Sequence, residues 1–282
     1  MSGSPAAIWI DDPDDPRLDP FRNIRERELR GDSGRFLAES LRVVRRLLAS
    51  EWEIDLLLLN RTAHRALAPD LAARAPRGRG PGSILEVPDG LEATIAGARF
   101  HGGALALGVR HRHPALDAVI PDPTTRPAPR VLLLEGLTHP DNIGSILRSA
   151  DCLGAAAVVM DARCADPLLR AAIRFSMGRV FSLPWTVVDS LPAAGRTLRQ
   201  AGWHLVAAEA SAESVPPREL PRDRPLAIWL GSEGHGICPE HLDLADQVVR
   251  IPTAGGTVDA GGEERSLNVA IAAAILLYEA SR

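Results

Sequence analysis

Residues 231–236, Gly-Ser-Glu-Gly-His-Gly, directly follow an apolar strand and could bind a ligand through their backbone. Three glycines in six positions permit a sharp turn and leave amide groups accessible. The spacing matches neither the GxGxxG dinucleotide fingerprint nor the GxxxxGK[ST] phosphate loop. A flexible connection between strand and helix is the alternative interpretation. His235 is expected to be a loop residue.

Two polar side chains, Asn142 and Arg148, occur in one short helix between two apolar strands. Asn142 can cap this helix, and Gly144 lets another backbone approach closely. Six residues make nearly two helical turns, so Arg148 is expected near the face of Asn142 and Ser145. A guanidinium is a planar fork suited to phosphate. A capped helix with an exposed arginine is the alternative.

The last 34 residues hold a third polar group. A strand at 248–252 leads into a Gly-rich segment, and Ser266-Leu267-Asn268 open the final helix. Ser266 is suited to capping that helix. The helix is apolar almost all round, which indicates burial on every side. We therefore expect it to pack on its own core and on a second subunit.

Other common site chemistries find little support in the sequence. His111 and His113 have no nearby cysteine or carboxylate set that would complete a metal site, so no metal is expected. G-x-S-x-G does not occur, which leaves no basis for a Ser–His–Asp arrangement. Cys152 and Cys164 are expected to be small core residues.

The elements around these residues suggest two domains. An amphipathic helix is predicted over 34–50 and short strands over 54–60 and 103–110, which gives a small α/β domain. Five prolines within 113–130 predict an extended linker without a helix. Continuous apolar runs beyond it predict a parallel sheet of five or six strands. The expected boundaries are an arm at 1–30, a first domain at 31–113, a linker at 114–129 and a second domain at 130–282.

Composition indicates a soluble globular protein. The chain has 282 residues, 45% hydrophobic and 24% charged, without a run of eighteen apolar residues or a signal-peptide core. Three cysteines without CxxC spacing favour a reducing cytoplasm, so a cytoplasmic, membrane-free protein is expected. Residues 20–85 contain 13 Arg against 8 Asp plus Glu, a local charge of +5 (13 − 8). Such a patch could follow a nucleic-acid backbone; a solvated surface is the alternative.

With these three segments taken in order, the chain resembles the SpoU/TrmH family of RNA ribose 2′-O-methyltransferases, in the SPOUT superfamily. Asn142 to Arg148 is similar to the first family motif, and the strand with GSEGHG to the second. The third corresponds to Ile-Pro, Ser-Leu-Asn-Val-Ala and Leu-Tyr-Glu near the C-terminus. The likeness covers about residues 130–280. The N-terminal half is more loosely similar to the family's RNA-binding domain.

The resemblance implies a knotted parallel-sheet SPOUT domain that follows a smaller α/β domain for binding rRNA or tRNA. It also implies a homodimer with S-adenosylmethionine as cofactor. The family's functional positions correspond to Asn142, Arg148, Glu233, Ser266 and Asn268. Its cofactor-binding positions correspond to Leu230, Gly231, Ser232, Gly236, Ile251, Pro252 and Leu267.

Two departures from the family pattern motivate an alternative. Thr253 stands where the family usually has Met, and the segment 253–265 is longer than usual. A catalytically silent RNA-binding or ribosome-assembly protein with the same fold is therefore the competing hypothesis. Under the enzymatic hypothesis, Arg148 acts as a cation that holds phosphate and stabilises the developing alkoxide, because a guanidinium is not deprotonated in proteins.

Overall fold

The computed structural model describes residues 6–22, 34–96, 102–209, 214–232, 234–253 and 266–282. These residues form two compact units. The first unit contains the described residues up to Arg112 together with Leu168–Ser182. The second contains His113–Pro167 and the described residues from Leu183 to Arg282.

The described elements alternate between strands and helices for most of the chain. The strands are β1 (Ile8–Trp9), β2 (Arg35–Glu39), β3 (Ile54–Asn60), β4 (Ser83–Val87), β5 (Ala104–Val109), β6 (Arg130–Leu134), β7 (Ala157–Asp161), β8 (Trp185–Val188), β9 (His204–Ala208), β10 (Leu226–Leu230) and β11 (Gln247–Val249). The α-helices are α1 (Leu41–Ala49), α2 (Arg61–Arg74), α3 (Leu91–Ala96), α4 (Leu116–Val119), α5 (Pro140–Cys152), α6 (Arg170–Phe175), α7 (Leu191–Gln200), α8 (Pro239–Leu242) and α9 (Val269–Ser281). Short 3₁₀ turns lie at Pro16–Phe21, Ala75–Arg77, Arg179–Phe181 and Pro217–Glu219.

The first unit is built on a mixed five-stranded sheet in the order β1-β4-β3-β5-β2. Strands β1, β4 and β3 are parallel, whereas β5 is antiparallel to both β3 and β2. Most apolar side chains of β3 and β5 are buried in this unit. The element pattern is therefore α/β.

The second unit is built on six parallel strands in the order β11-β9-β10-β6-β7-β8. Its central strands β6 and β10 are continuous apolar runs, as expected of strands covered on both faces. Their registers align the strand ends: Leu230 lies beside both Leu134 and Ala208, and Leu134 beside Met160. All strands therefore end at one edge of the sheet, where ligands of such folds bind.

Two sequence predictions about the fold are wrong. The helix predicted over 34–50 is a strand, β2, followed by the shorter helix α1. Ser40 separates them with a φ of 84°, and β2 bonds to β5, a partner about 70 residues away that local periodicity cannot reveal. The linker was expected to hold no helix, yet α4 makes one turn between Pro114 and Pro121. The four residues of α4 contain no proline, so each keeps the backbone N–H and the conformational freedom that a helical turn needs.

Most other elements agree with the sequence. The predicted parallel sheet of five or six strands is confirmed at six, and the α/β class is confirmed. The trefoil knot stays a prediction, as do the bounds of the four predicted segments. Leu168–Ser182, which the sequence places inside the second domain, groups with the first unit. No helix among the described residues is long and apolar enough to cross a membrane, and the cytoplasmic location stays a prediction.

Candidate functional site

A cavity of about 490 Å³ opens at the edge where the strands of the second unit end. Residues directly beyond β9, β10 and β11 form one part of its wall, and the start of α9 forms another. The described lining residues are Ala208, Glu209, Leu230, Gly231, Ser232, Gly234, His235, Gly236, Ile237, Pro239, Val249, Arg250, Ile251, Thr253, Ser266, Leu267, Val269, Ala272 and Leu276. Its size is in the range of pockets that enclose cofactors.

The turn from Gly231 to Gly236 closes tightly on itself. The backbone amide of Gly236 donates to the carbonyl of Ser232 at 2.8 Å. A Cβ atom at Gly231 would lie 2.1 Å from the carbonyl carbon of Gly236, closer than any real contact. Gly236 itself has a φ of +63°, in the left-handed region. Both ends of this turn therefore require glycine, which explains the pattern seen in the sequence.

Two carboxylates hold the chain where it leaves this turn. The amide of Ile237 donates to Oε2 of Glu209 at 3.0 Å, and the next amide, of Cys238, donates to Oε1 of Glu135 at 3.3 Å. Glu209 follows β9 and Glu135 follows β6, the two strands that flank β10. Charged acceptors form the stronger class of hydrogen bond. The cavity wall is thus anchored to both neighbouring strands.

Glu135 is itself buried and fully surrounded by donors. Only 3% of the residue is exposed, and its carboxylate accepts from Trp229 Nε1 at 2.9 Å. His241 Nδ1 lies 3.0 Å from both carboxylate oxygens, and Arg163 donates at 3.2 Å. Burial of a carboxylate is unfavourable without such partners. This cluster therefore fixes β6, β10 and α8 relative to one another.

Asp161, at the end of β7, forms a second anchor. Its Oδ1 accepts from the amides of Gly136, Arg163 and Cys164 at 3.1–3.2 Å. The hydrogen bond from the Arg163 side chain to Asp161 raises the pKa of that guanidinium. Burial raises the pKa of the Cys164 thiol to about 12. Cys164 is thus a neutral thiol at physiological pH. Cys152, which was also expected in the core, is exposed.

The polar residues at the start of α9 join it to α5. Asn268, and not Ser266 as predicted, caps α9 by accepting from the amide of Ala270 at 3.0 Å. Asn142 does not cap α5, whose N-cap is His139, but its Oδ1 accepts from Nδ2 of Asn268 at 2.9 Å. Two residues predicted from separate motifs, 126 positions apart, are therefore in direct contact. Both lie outside the described cavity wall; Asn268 instead lines an open groove between α5 and α9.

The remaining predicted site residues fall into distinct places. Most of the positions expected to bind cofactor line the cavity: Leu230, Gly231, Ser232, Gly236, Ile251 and Leu267. Ser266 lines it too, whereas Pro252 is exposed and does not. Arg148 is exposed on α5, and no residue of α5 belongs to the described wall. Glu233 lies outside the described residues, as does most of the 253–265 segment. The role of each residue stays a prediction.

Sequence reasoning missed the two carboxylates and Arg250. Glu135, Glu209 and Arg250 each come directly after an apolar strand of the second unit. A charged residue at the end of a buried parallel strand is a usable signal, because those ends meet at the ligand-binding edge. Their hydrogen-bond partners, however, come from remote parts of the chain.

Comparison with known proteins identifies this arrangement. The model of the SpoU rRNA methylase family matches residues 129–278. The chain belongs to this family. It is 35% identical over 280 residues to an uncharacterized tRNA/rRNA methyltransferase of Mycobacterium tuberculosis, covering 96% of this chain and 90% of the relative. This result confirms the family resemblance drawn from the sequence.

Two further SpoU relatives are informative. The chain is 33% identical over 189 residues to a 23S rRNA (guanosine-2′-O-)-methyltransferase of a Burkholderia species, with coverage of 67% of this chain and 72% of the relative. It is also similar to the crystal structure of an AdoMet-bound rRNA methyltransferase from Sinorhizobium meliloti. That match has a TM-score of 0.78, 27% identity and 97% coverage of both chains.

Proposed function

We propose that this SpoU family member transfers a methyl group from S-adenosylmethionine to a ribose 2′-hydroxyl of rRNA or tRNA. The observation that carries the proposal is the cavity at the carboxyl edge of the parallel sheet, with its Gly231–Gly236 turn. The Sinorhizobium relative binds AdoMet and the Burkholderia relative methylates a guanosine 2′-oxygen, as their names state. Both properties support the same chemistry here.

The cavity fits such a cofactor in size and chemistry. It holds a turn with no side chain at Gly231, Gly234 or Gly236, so a ligand can approach the backbone. Leu230, Ile251 and Leu267 supply apolar surface, and Glu209 and Arg250 supply one charge of each sign. We propose that these residues hold the cofactor, which contributes a methyl group activated by its sulfonium.

Arg148, Asn142 and Asn268 are proposed to act on the RNA side. A guanidinium stays charged throughout, so Arg148 would hold a phosphate and stabilise negative charge as the ribose hydroxyl loses its proton. The hydrogen bond from Asn268 to Asn142 fixes the orientation of both amides. Ser266 in the cavity wall would orient the reacting groups. Placement of oxygen, methyl carbon and sulfur in line can contribute about 7–11 kcal/mol.

We propose that the active form is a homodimer. The groove between α5 and α9 is lined by Ser145, Ser149, Asn268, Ala270, Ile271, Ala274, Ile275, Tyr278 and Glu279. Ile271 and Tyr278 are 52% and 53% exposed. Large apolar side chains gathered on one open face favour a protein partner. A second copy over this groove would cover them and place the reaction near the subunit interface.

The first unit is proposed to bind the RNA substrate. The segment 20–85, which lies before Arg112 in the chain, has a local charge of +5 (13 − 8). Lys and Arg contacts to phosphates supply most of the sequence-independent affinity for nucleic acid. RNA affinity should therefore fall steeply with salt concentration.

A methyl-transfer assay tests the main proposal. Full-length protein is incubated with S-adenosylmethionine carrying a labelled methyl group and with bulk rRNA or tRNA, and the RNA is digested to nucleosides. We expect label in a 2′-O-methylated nucleoside. Label on a base would contradict the ribose assignment.

The silent alternative makes a different prediction, motivated by the long 253–265 segment. Calorimetric titration of S-adenosylmethionine, with and without RNA, separates the two hypotheses. Binding of RNA without any binding of the cofactor would support the catalytically silent protein and end the enzymatic proposal.

A further inference from the structure

Glu209 places a carboxylate inside the cavity wall. Its Oε2 accepts from the amide of Ile237 at 3.0 Å, and the same oxygen lies 2.4 Å from where a Cβ of Gly236 would stand. Both partners line the cavity, as Glu209 itself does. The group is therefore held within the binding space by the backbone of the turn.

The charge of Glu209 is distinctive in this wall. Among the described lining residues it is the one carboxylate, while Arg250 is the one arginine and most others are apolar or small. A partly enclosed cavity with apolar walls screens charge less than bulk water does. A carboxylate placed there favours ligands that carry an additional positive charge.

Methyl transfer changes the charge of the bound ligand by one unit. The S–C bond breaks and its electron pair stays on sulfur, while the ribose oxygen forms the new O–C bond and releases its proton. The sulfonium of the donor thereby becomes the neutral thioether of S-adenosylhomocysteine. Donor and product are otherwise nearly the same in shape, so charge is the main property by which a site can tell them apart.

We propose that Glu209 is a specificity-determining residue that makes the cavity prefer the sulfonium donor over the thioether product. The inference rests on the proposed function, because it assumes that this cavity binds S-adenosylmethionine. Preference for the donor would limit product inhibition. Glu209 has a positioning role as well, through its bond to Ile237.

The test compares four full-length proteins: wild type, Glu209→Gln, Glu209→Asp and Glu219→Gln. Glutamine keeps the shape of the side chain and a carbonyl oxygen that can accept from Ile237, but it removes the charge. Glu219 is an exposed acid of the same unit outside the described wall, so its variant controls for the change in net charge. Calorimetry gives the Kd of each protein for S-adenosylmethionine, S-adenosylhomocysteine and sinefungin, in which a protonated amine replaces the sulfonium.

We expect Glu209→Gln to lower the affinity for S-adenosylmethionine and sinefungin about tenfold, equivalent to about 1.4 kcal/mol. Its affinity for S-adenosylhomocysteine should fall less than about twofold. Glu219→Gln should match wild type. Glu209→Asp keeps the charge. It should therefore retain the wild-type ratio of the Kd values for S-adenosylmethionine and S-adenosylhomocysteine, even if both values rise.

Several outcomes would overturn the inference. An equal loss of affinity for all three ligands in Glu209→Gln would show a structural role alone, and no loss would show no role. If Glu209→Gln does not fold, the Kd values of wild type for S-adenosylmethionine and S-adenosylhomocysteine decide the question. Equal or tighter binding of S-adenosylhomocysteine to wild type refutes the preference for the donor. Failure of wild type to bind any of the three ligands, in the presence of RNA as well as in its absence, would instead overturn the proposed function.

Discussion

Helix α9 separates two surfaces of the second unit that differ in construction. One side contributes Val269, Ala272 and Leu276 to the cavity, and the other contributes Ile271 and Tyr278 to the open groove beside α5. The cavity wall is anchored by two backbone amides, of Ile237 and Cys238, which donate hydrogen bonds to the carboxylates of Glu209 and Glu135. In the groove, Ile271 and Tyr278 are each about half exposed. The cavity is formed within one chain, whereas the groove has the character of a surface that needs a partner.

This difference suggests a division of labour. Cofactor binding would need only the cavity, and methyl transfer would need both surfaces, because Arg148 belongs to α5 and not to the described cavity wall. Variants on the two sides should therefore separate affinity for the cofactor from turnover.

Arg148→Ala should have the largest effect and would act on turnover alone. We expect methyl transfer to fall about 100- to 1,000-fold, because the variant removes the cation that we propose stabilises the transition state. Affinity for S-adenosylmethionine should stay within about twofold of wild type. Single-turnover rates and calorimetry measure the two quantities. Arg224→Ala, at another exposed arginine of the same unit, is the control; wild-type turnover in Arg148→Ala would remove this residue from the mechanism.

Gly231→Ala should do the reverse and damage the cavity. Its Cβ would lie 2.1 Å from the Gly236 carbonyl carbon, so the turn must open. We expect cofactor affinity to fall about 100-fold, or about 2.8 kcal/mol, with the oligomeric state unchanged. Gly234→Ala, in the same turn, should lower the affinity less, since a Cβ there meets no protein atom within 4 Å and leaves the turn itself intact. Equal losses in both variants would contradict the steric explanation.

Ile271→Asp tests the groove. A charge at the centre of the proposed apolar interface should weaken dimerisation by about 2–3 kcal/mol and shift the protein towards monomers. Sedimentation velocity measures the change. Ile8→Asp, at an isoleucine of the first unit that is 40% exposed, is the control. A wild-type protein that is already monomeric would refute the proposed dimer, and an unchanged dimer would place its interface elsewhere.

Glu135→Gln should have the smallest effect of the four and would sharpen the account of the cavity wall. The amide would present a donor to a site that already contains Trp229 Nε1, the Cys238 amide and Arg163. We expect the free energy of unfolding to fall by about 1–3 kcal/mol in denaturant titration. Glu219→Gln should leave stability unchanged. A loss no larger than in that control would show that the cluster does not support the wall.

The sequence was most informative where structure depends on local pattern. Continuous apolar runs predicted the strands β6, β7, β9 and β10, because a strand buried on both faces needs apolar residues at every position. The glycines at 231 and 236 predicted the turn, because the backbone there excludes a side chain. These features predicted most strands of the second unit and the turn that lines its cavity.

The features that were missed depend on distant partners. Phe36 and Leu37 fit a helical period with α1, but their strand is defined by pairing with β5, far along the chain. Glu135 becomes a support for the cavity only because the amide of Cys238, 103 residues later, returns to it. Such pairings depend on the assembled topology, and local periodicity carries no information about them.

The grouping of Leu168–Ser182 with the first unit has a consequence for dissecting the protein. The chain passes between the two units three times, after Arg112, Pro167 and Ser182. In the first unit Phe181 stacks on Phe36 with ring centroids 5.4 Å apart, and Val180 is fully buried. Deletion of the N-terminal 112 residues would expose these apolar side chains and give an aggregation-prone fragment. A soluble excised second unit would also require a short polar bridge in place of residues 168–182.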